Sequence, residues 1–112
     1  MNGPAVPTWL QAALDEYAIR LREGLGSRLL GLRLFGSWAR GEAGPDSDVD
    51  VWVLVDRRDE LTRTLPYDAS IEVLVRHDVD LAPTVMDREE WNRLLAGERR
   101  LARDILTEGR PL

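Results

Sequence analysis

The sequence predicts one α/β domain with the order αβ(loop)βαβα, and three observations carry that expectation. Apolar residues recur at helical spacing over residues 9–23, strand-like runs occupy 27–35 and 48–55, and a loop rich in Gly, Ser, Pro and Asp separates the two runs. At 112 residues with 44% hydrophobic content, the chain is one domain's worth (1–112) with a modest core.

Residues 1–7, with two prolines and a glycine, read as a loose tail. Thr8 and Gln11 read as a capping box opening a helix from Trp9 to about Glu23, with Leu10, Ala13, Leu14, Tyr17, Ala18 and Leu21 on its apolar face. Gly24 and Gly26 stop it. In the strand over 27–35, Leu30, Leu32 and Leu34 alternate with polar or small neighbours. The run "DVDVWVLV" (48–55) is apolar enough for a central strand. "DRRDELTRT" reads as a turn entering a helix. Residues 66–78 read as helix, with Pro66 at a first helical position and Tyr67, Ile71, Leu74 and Val75 as its apolar face. "VDLAPTVM" (79–86) is the third strand, and Pro83 argues for an edge. Asp87 and Glu90 form a second capping box, opening a helix through Trp91, Leu94 and Leu95 that Gly97 kinks or breaks before "RRLARDIL".

Composition excludes several chemistries. Without cysteine there are no disulfides, zinc-thiolate sites or thiol nucleophiles, and one histidine, His77, leaves no histidine metal cluster. All fifteen basic residues are arginine, so neither a P-loop lysine nor a Schiff-base lysine exists. The net charge of −5 argues against general affinity for nucleic-acid backbones. No apolar run reaches the ~18 residues of a membrane span, and "MNGPAVP" lacks a signal's basic and apolar regions. The expectation is a soluble, cytoplasmic protein.

The informative stretch is "GSWARGEAGPDSDVDV". Residues two apart on a strand share a face, so Asp48 and Asp50 point one way while Val49 and Val51 turn into the core. Adjacent carboxylates raise each other's pKa unless a cation lies between them, and Mg²⁺ suits all-oxygen ligands. Gly36-Ser37 end the previous strand; if the two strands pair, Ser37 arrives beside the carboxylates. A Gly-Ser turn offers N–H groups and a hydroxyl to phosphate oxygens, and Arg40 adds charge. Together these residues make a site for a nucleoside triphosphate.

Gly36-Ser37, ten intervening residues and Asp48-Val49-Asp50 resemble the G-S-x10-D-x-D signature of the nucleotidyltransferase superfamily whose fold DNA polymerase β shares. The fuller pattern is similar to the minimal nucleotidyltransferase (MNT) proteins, and the likeness extends through "ILTEGRPL". The resemblance implies a polymerase β-like fold: a small mixed sheet flanked by helices, in the order αββαβα. It implies that Gly36 and Ser37 hold the triphosphate and that Asp48 and Asp50 bind two Mg²⁺ ions. It also implies a third carboxylate on a later strand: Asp80 by its strand context, or Glu72 if "SIEVLV" were the strand instead. The implied activity is transfer of AMP from ATP to a protein hydroxyl, in an antitoxin that adenylylates or masks a HEPN-type toxin. Alternatives are a non-catalytic partner-binding antitoxin on this scaffold and a small-molecule nucleotidyltransferase.

Of the remaining residues, Trp38 suits either stacking on a nucleobase or capping the sheet edge. Trp52 shares the face of the aspartates but lies deeper, as core, and Trp91 is also core. His77 reads as a helix-end or surface residue, and Arg57 and Arg58 as solvated turn charges. Arg99, Arg100 and Arg103 offer part of a docking face on the last helix.

Overall fold

Pro7 sets where the first helix begins. In the computed structural model, which describes residues 6–44 and 47–112, its carbonyl accepts from the N–H groups of Leu10 and Gln11, each at 3.0 Å. Helix α1 therefore spans Thr8–Leu25 with Pro7 as its cap. The Thr8/Gln11 capping box does not form: Thr8 is already inside the first turn, and Gln11 bonds Asp15 instead. The expected face of α1 is the one buried. Of the expected tail, residues 1–5 lie outside the described residues, while Val6 packs against the core.

A 3-10 turn (Gly26–Arg28) leads into β1 (Leu29–Phe35), and a short helix α2 (Ser37–Arg40) follows. Strand β2 (Val49–Val55) pairs antiparallel with β1 and parallel with β3 (Leu81–Asp87). A two-residue strand β4 (Arg110–Pro111), which the sequence reading missed, pairs antiparallel with β1. The sheet order is β3-β2-β1-β4, so β3 is an edge, as Pro83 indicated. A register shift between Leu29 and Gly31 breaks the alternation in β1. Leu32 and Leu34 are buried, but Leu30 is exposed.

Between the parallel strands runs one helix, α3 (Glu60–His77), longer than the helix expected from Pro66. Its start is a capping box of Asp59 and Thr62, so Pro66 sits inside the helix rather than at its first turn. The carbonyl of Pro66 accepts the buried hydroxyl of Tyr17. The helical reading holds, but its face does not: Tyr67, Ile71, Leu74 and Val75 are exposed, and Thr62, Pro66, Ala69, Ser70 and Val73 are buried. Both sets have helical spacing; the smaller residues let α3 approach α1 and the sheet closely.

Helices α1 and α3 cover one face of the sheet, burying Leu32, Leu34, Val49, Val51, Val53, Val55 and Val85. The other face carries Trp52 and Met86, packed against Trp91 of α4 (Arg88–Ala96) and Ala102 and Ile105 of α5 (Arg100–Glu108). Trp52 and Trp91 stack with centroids 4.7 Å apart, so both tryptophans are core, as read. Asp87 and Glu90 form their capping box, and the chain breaks into two helices at Gly97.

Candidate active site

The antiparallel register sets Phe35, the last residue of β1, opposite Asp50 near the start of β2. The turn after Phe35 must then pass the Asp50 side chain. Gly36 makes this possible: its φ is +75°, and a Cβ there would lie 2.3 Å from Asp50 Oδ2. Any side chain at 36 would displace the carboxylate. The next residue, Ser37, opens α2, so the Gly-Ser turn and the second aspartate meet across the strand pair, as the sequence spacing required.

Val49 and Val51 are buried on the helix-covered face, and Asp50 projects from the other, half-buried. Asp48 precedes β2 and is exposed. Burial pushes the Asp50 carboxyl above the usual carboxylate range; the Asp48 charge adds to the rise and the Arg40 charge offsets part of it. Neither aspartate takes part in an ion pair among the described residues. Paired oxygen donors with no bonded cation fit a hard divalent ion such as Mg²⁺.

Arg40 supplies the positive charge from the last position of α2. Its guanidinium is held by Glu42 (Nε to Oε2, 2.9 Å) and by Glu108 of α5 (Nη1 to Oε2, 3.1 Å). These hydrogen bonds raise its pKa. The sequence reading missed both glutamates. Glu42 was visible as a neighbour, but Glu108, sixty-eight positions away, is brought in only by the docking of α5.

Asp80 stands one residue before β3, exposed, two residues before Ala82, which pairs with Asp50. Continuing the parallel register sets it abreast of Asp48. Among the described residues, no three Asp, Glu, His or Cys side chains are gathered closely enough to hold a metal. Glu72 lies on α3 in the groove against α1, behind the sheet from Asp50. The strand over "SIEVLV" on which a role for Glu72 depended is a helix.

Residues 18–111 match the nucleotidyltransferase domain family. The chain belongs to the nucleotidyltransferase domain family. A relative from Thermococcus cleftensis, "Protein adenylyltransferase MntA", is 36% identical over 72 residues, covering 64% of this chain and 71% of the relative. A second, from Methanocaldococcus jannaschii and named "Putative protein adenylyltransferase", is 32% identical over 82 residues, covering 70% of this chain. The chain spans 55% of that relative's length. A toxin–antitoxin crystal structure with AMP-PNP shares the fold at TM-score 0.57 and 22% identity, covering 87% of this chain and 69% of that one. So does a complex of tri-AMPylated Shewanella oneidensis HEPN toxin with MNT antitoxin, at 0.53 and 20%, covering 90% and 69%.

The other residues singled out by the sequence make the following contacts. Arg58 bonds Glu90 and the carbonyl of Val85, pinning the edge strand rather than lying free in solvent. His77 ends α3 and approaches Glu16, which also pairs with Arg20 and Arg76. Trp38 is half-buried against Trp9, and its indole N–H donates to the carbonyl of Ser47. Arg57, Arg99, Arg100 and Arg103 are exposed. No described helix is long and apolar enough to cross a membrane.

Proposed function

We propose that this nucleotidyltransferase domain transfers AMP from ATP to a hydroxyl of a partner protein, and that the partner is a HEPN-type toxin which the chain restrains as its antitoxin. The observation that carries the chemistry is the meeting of Gly36 with Asp50, raised in pKa and in no ion pair among the described residues, across the β1–β2 pair. The adenylyltransferase relatives and the toxin–antitoxin neighbours support the substrate and partner. We place the reaction in the cytoplasm, where ATP is available.

Asp48 and Asp50 would hold Mg²⁺, two ions in the fullest form. Asp80, abreast of Asp48 but not gathered with the pair among the described residues, would have to move in to act as third ligand or base. When bound, the metal supplies activation of the acceptor oxygen and neutralisation of charge on the pyrophosphate leaving group. The chain's own work is positioning. The Gly36-Ser37 turn faces the phosphates with its N–H groups and the Ser37 hydroxyl. Arg40 swings its fork from Glu42 or Glu108 to the triphosphate, a like-for-like exchange of oxygen acceptors. The acceptor oxygen bonds the α-phosphorus, the bond from that phosphorus to pyrophosphate breaks, and the acceptor's proton is released.

Intact-mass spectrometry of the co-expressed partner tests this reading. It should show added AMP that disappears with Asp48→Ala. A partner inhibited equally by wild type and Asp48→Ala, yet carrying no added mass, establishes masking by binding instead.

A further inference from the structure

Trp38 lies one residue beyond Ser37, and its half-buried indole is held on two sides. Trp9 of α1 meets it edge-on, with ring centroids 5.6 Å apart and planes at 90°. On the other side, Nε1–H donates to the carbonyl oxygen of Ser47 at 3.2 Å. Ser47 immediately precedes Asp48. Its own N–H donates to the Gly44 carbonyl at 3.1 Å, and its hydroxyl accepts from the Gly44 N–H at 2.8 Å. One side chain of α2 thus grips the peptide from which Asp48 projects.

That grip matters because of where Asp48 sits. The β1–β2 register pairs Asp50 with Phe35, so the sheet places Asp50. Asp48 is exposed and lies before the first residue of β2, where the ladder does not reach. We infer that Trp38 is a positioning residue for Asp48: by holding the Ser47 carbonyl, it sets the spacing between the metal-facing carboxylate and the phosphate-facing turn at Ser37. The inference rests on the metal-dependent reading of Asp48 and Asp50 given above. An indole suits the task because it combines a flat surface for Trp9 with a donor at its rim. Trp9 is itself 53% exposed but belongs to α1, which is anchored by the buried Leu10 and Leu14.

The test is Mn²⁺ binding to the full chain with a non-hydrolysable ATP analogue, followed by electron paramagnetic resonance. Trp38→Phe keeps a ring and loses the donor. A second variant carries benzothienylalanine at position 38, which preserves the bicyclic shape and replaces only the N–H by sulfur. Both should weaken Mn²⁺ affinity about three- to ten-fold, the worth of one neutral hydrogen bond, while the sulfur variant remains folded with a cooperative melt. If Trp38→Phe does not fold, the sulfur variant decides the matter alone. Unchanged Mn²⁺ affinity in that variant overturns the positioning role. Asp48→Ala separates the two levels: loss of Mn²⁺ binding there, with none in the sulfur variant, sinks only the role of Trp38. Wild-type Mn²⁺ binding in Asp48→Ala sinks the metal reading and the inference together.

Discussion

The two ends of β2 carry similar acidic pairs with opposite electrostatics. At the C-terminal end, Asp56 and Asp59 share the guanidinium of Arg28, at 3.1 Å and 2.8 Å. The hydrogen bond from Arg28, with the Thr62 N–H behind it, lowers Asp59 to about 2. For Asp56, burial would raise the pKa, but bonds from the Arg57 N–H and Arg28 outweigh it. At the N-terminal end, Asp48 and Asp50 have no such partner among the described residues, and Asp50 is pushed up. The cation whose charge acts on Asp50, Arg40, is itself engaged by Glu42 and Glu108. One strand therefore ends in a closed ion cluster, and begins beside a pair of aspartates that are in no ion pair among the described residues. An arginine placed by a neighbouring turn offsets the acidic pair at one end, and the proposed function draws on the pair at the other.

The contrast is broken most sharply at Asp50. Asp50→Ala should abolish AMP transfer, by about a thousand-fold or more, while the metal-free protein melts no lower than wild type, since a carboxylate that folding disfavours has been removed. Labelling with α-labelled ATP and a thermal melt check both halves, and surviving labelling would remove Asp50 from the site. Gly36→Ala comes next. The added Cβ must displace the Asp50 carboxylate and adopt positive φ, so transfer should fall about ten- to a hundred-fold, with about 1–3 kcal/mol lost in stability. Chemical denaturation beside the labelling assay separates the two losses.

At the other end, the sign reverses. Arg28→Ala leaves Asp56 and Asp59 with only the exposed Arg57, 3.9 Å from Asp59, so the melting temperature should drop while transfer by the folded protein stays at the wild-type level. A matching loss of transfer would show that the two ends are coupled. The smallest effect belongs to Asp59→Asn, which keeps a good helix cap and removes the charge. Because the folded pKa of Asp59 is depressed to about 2, its stabilisation is fully present above the unfolded value near ~3.9 and is lost as pH falls towards 2. The variant should melt lower than wild type at neutral pH and show a shallower acid-side decline. Melting curves from pH 2 to about 6 measure the difference.

Much of this was legible in the sequence because it is local. Alternation alone turns Val49 and Val51 inward and Asp50 outward, and the capping box at Asp87 and Glu90 names a helix start within four residues. The G-S-x10-D-x-D spacing works for the same reason: two short segments joined by one loop have few ways to meet. Where two local signals were equally good, the sequence reading went astray. In α3, the stripe of Tyr67, Ile71 and Leu74 and the stripe of Pro66, Ala69 and Val73 both have helical period, and only the space between α1 and the sheet selects the smaller side chains. Thr8 offered a cap that Pro7, one residue earlier, had already supplied.

By itself, the sequence determined the long helices and the three main strands, the central place of β2 and the residues of the Gly-Ser turn and acidic pair, because each depends on periods and spacings of a few residues; it missed β4 and the short helix α2 inside the loop it expected. The tertiary structure alone decided which charges those residues meet. Arg40 is held by Glu108 from the last helix, Asp59 by Arg28 from the turn before β1, and Asp50, in no ion pair among the described residues, feels the Arg40 charge only at a distance. Coulombic and hydrogen-bonding partners act over a few ångströms whatever their separation along the chain, and only folding sets those distances.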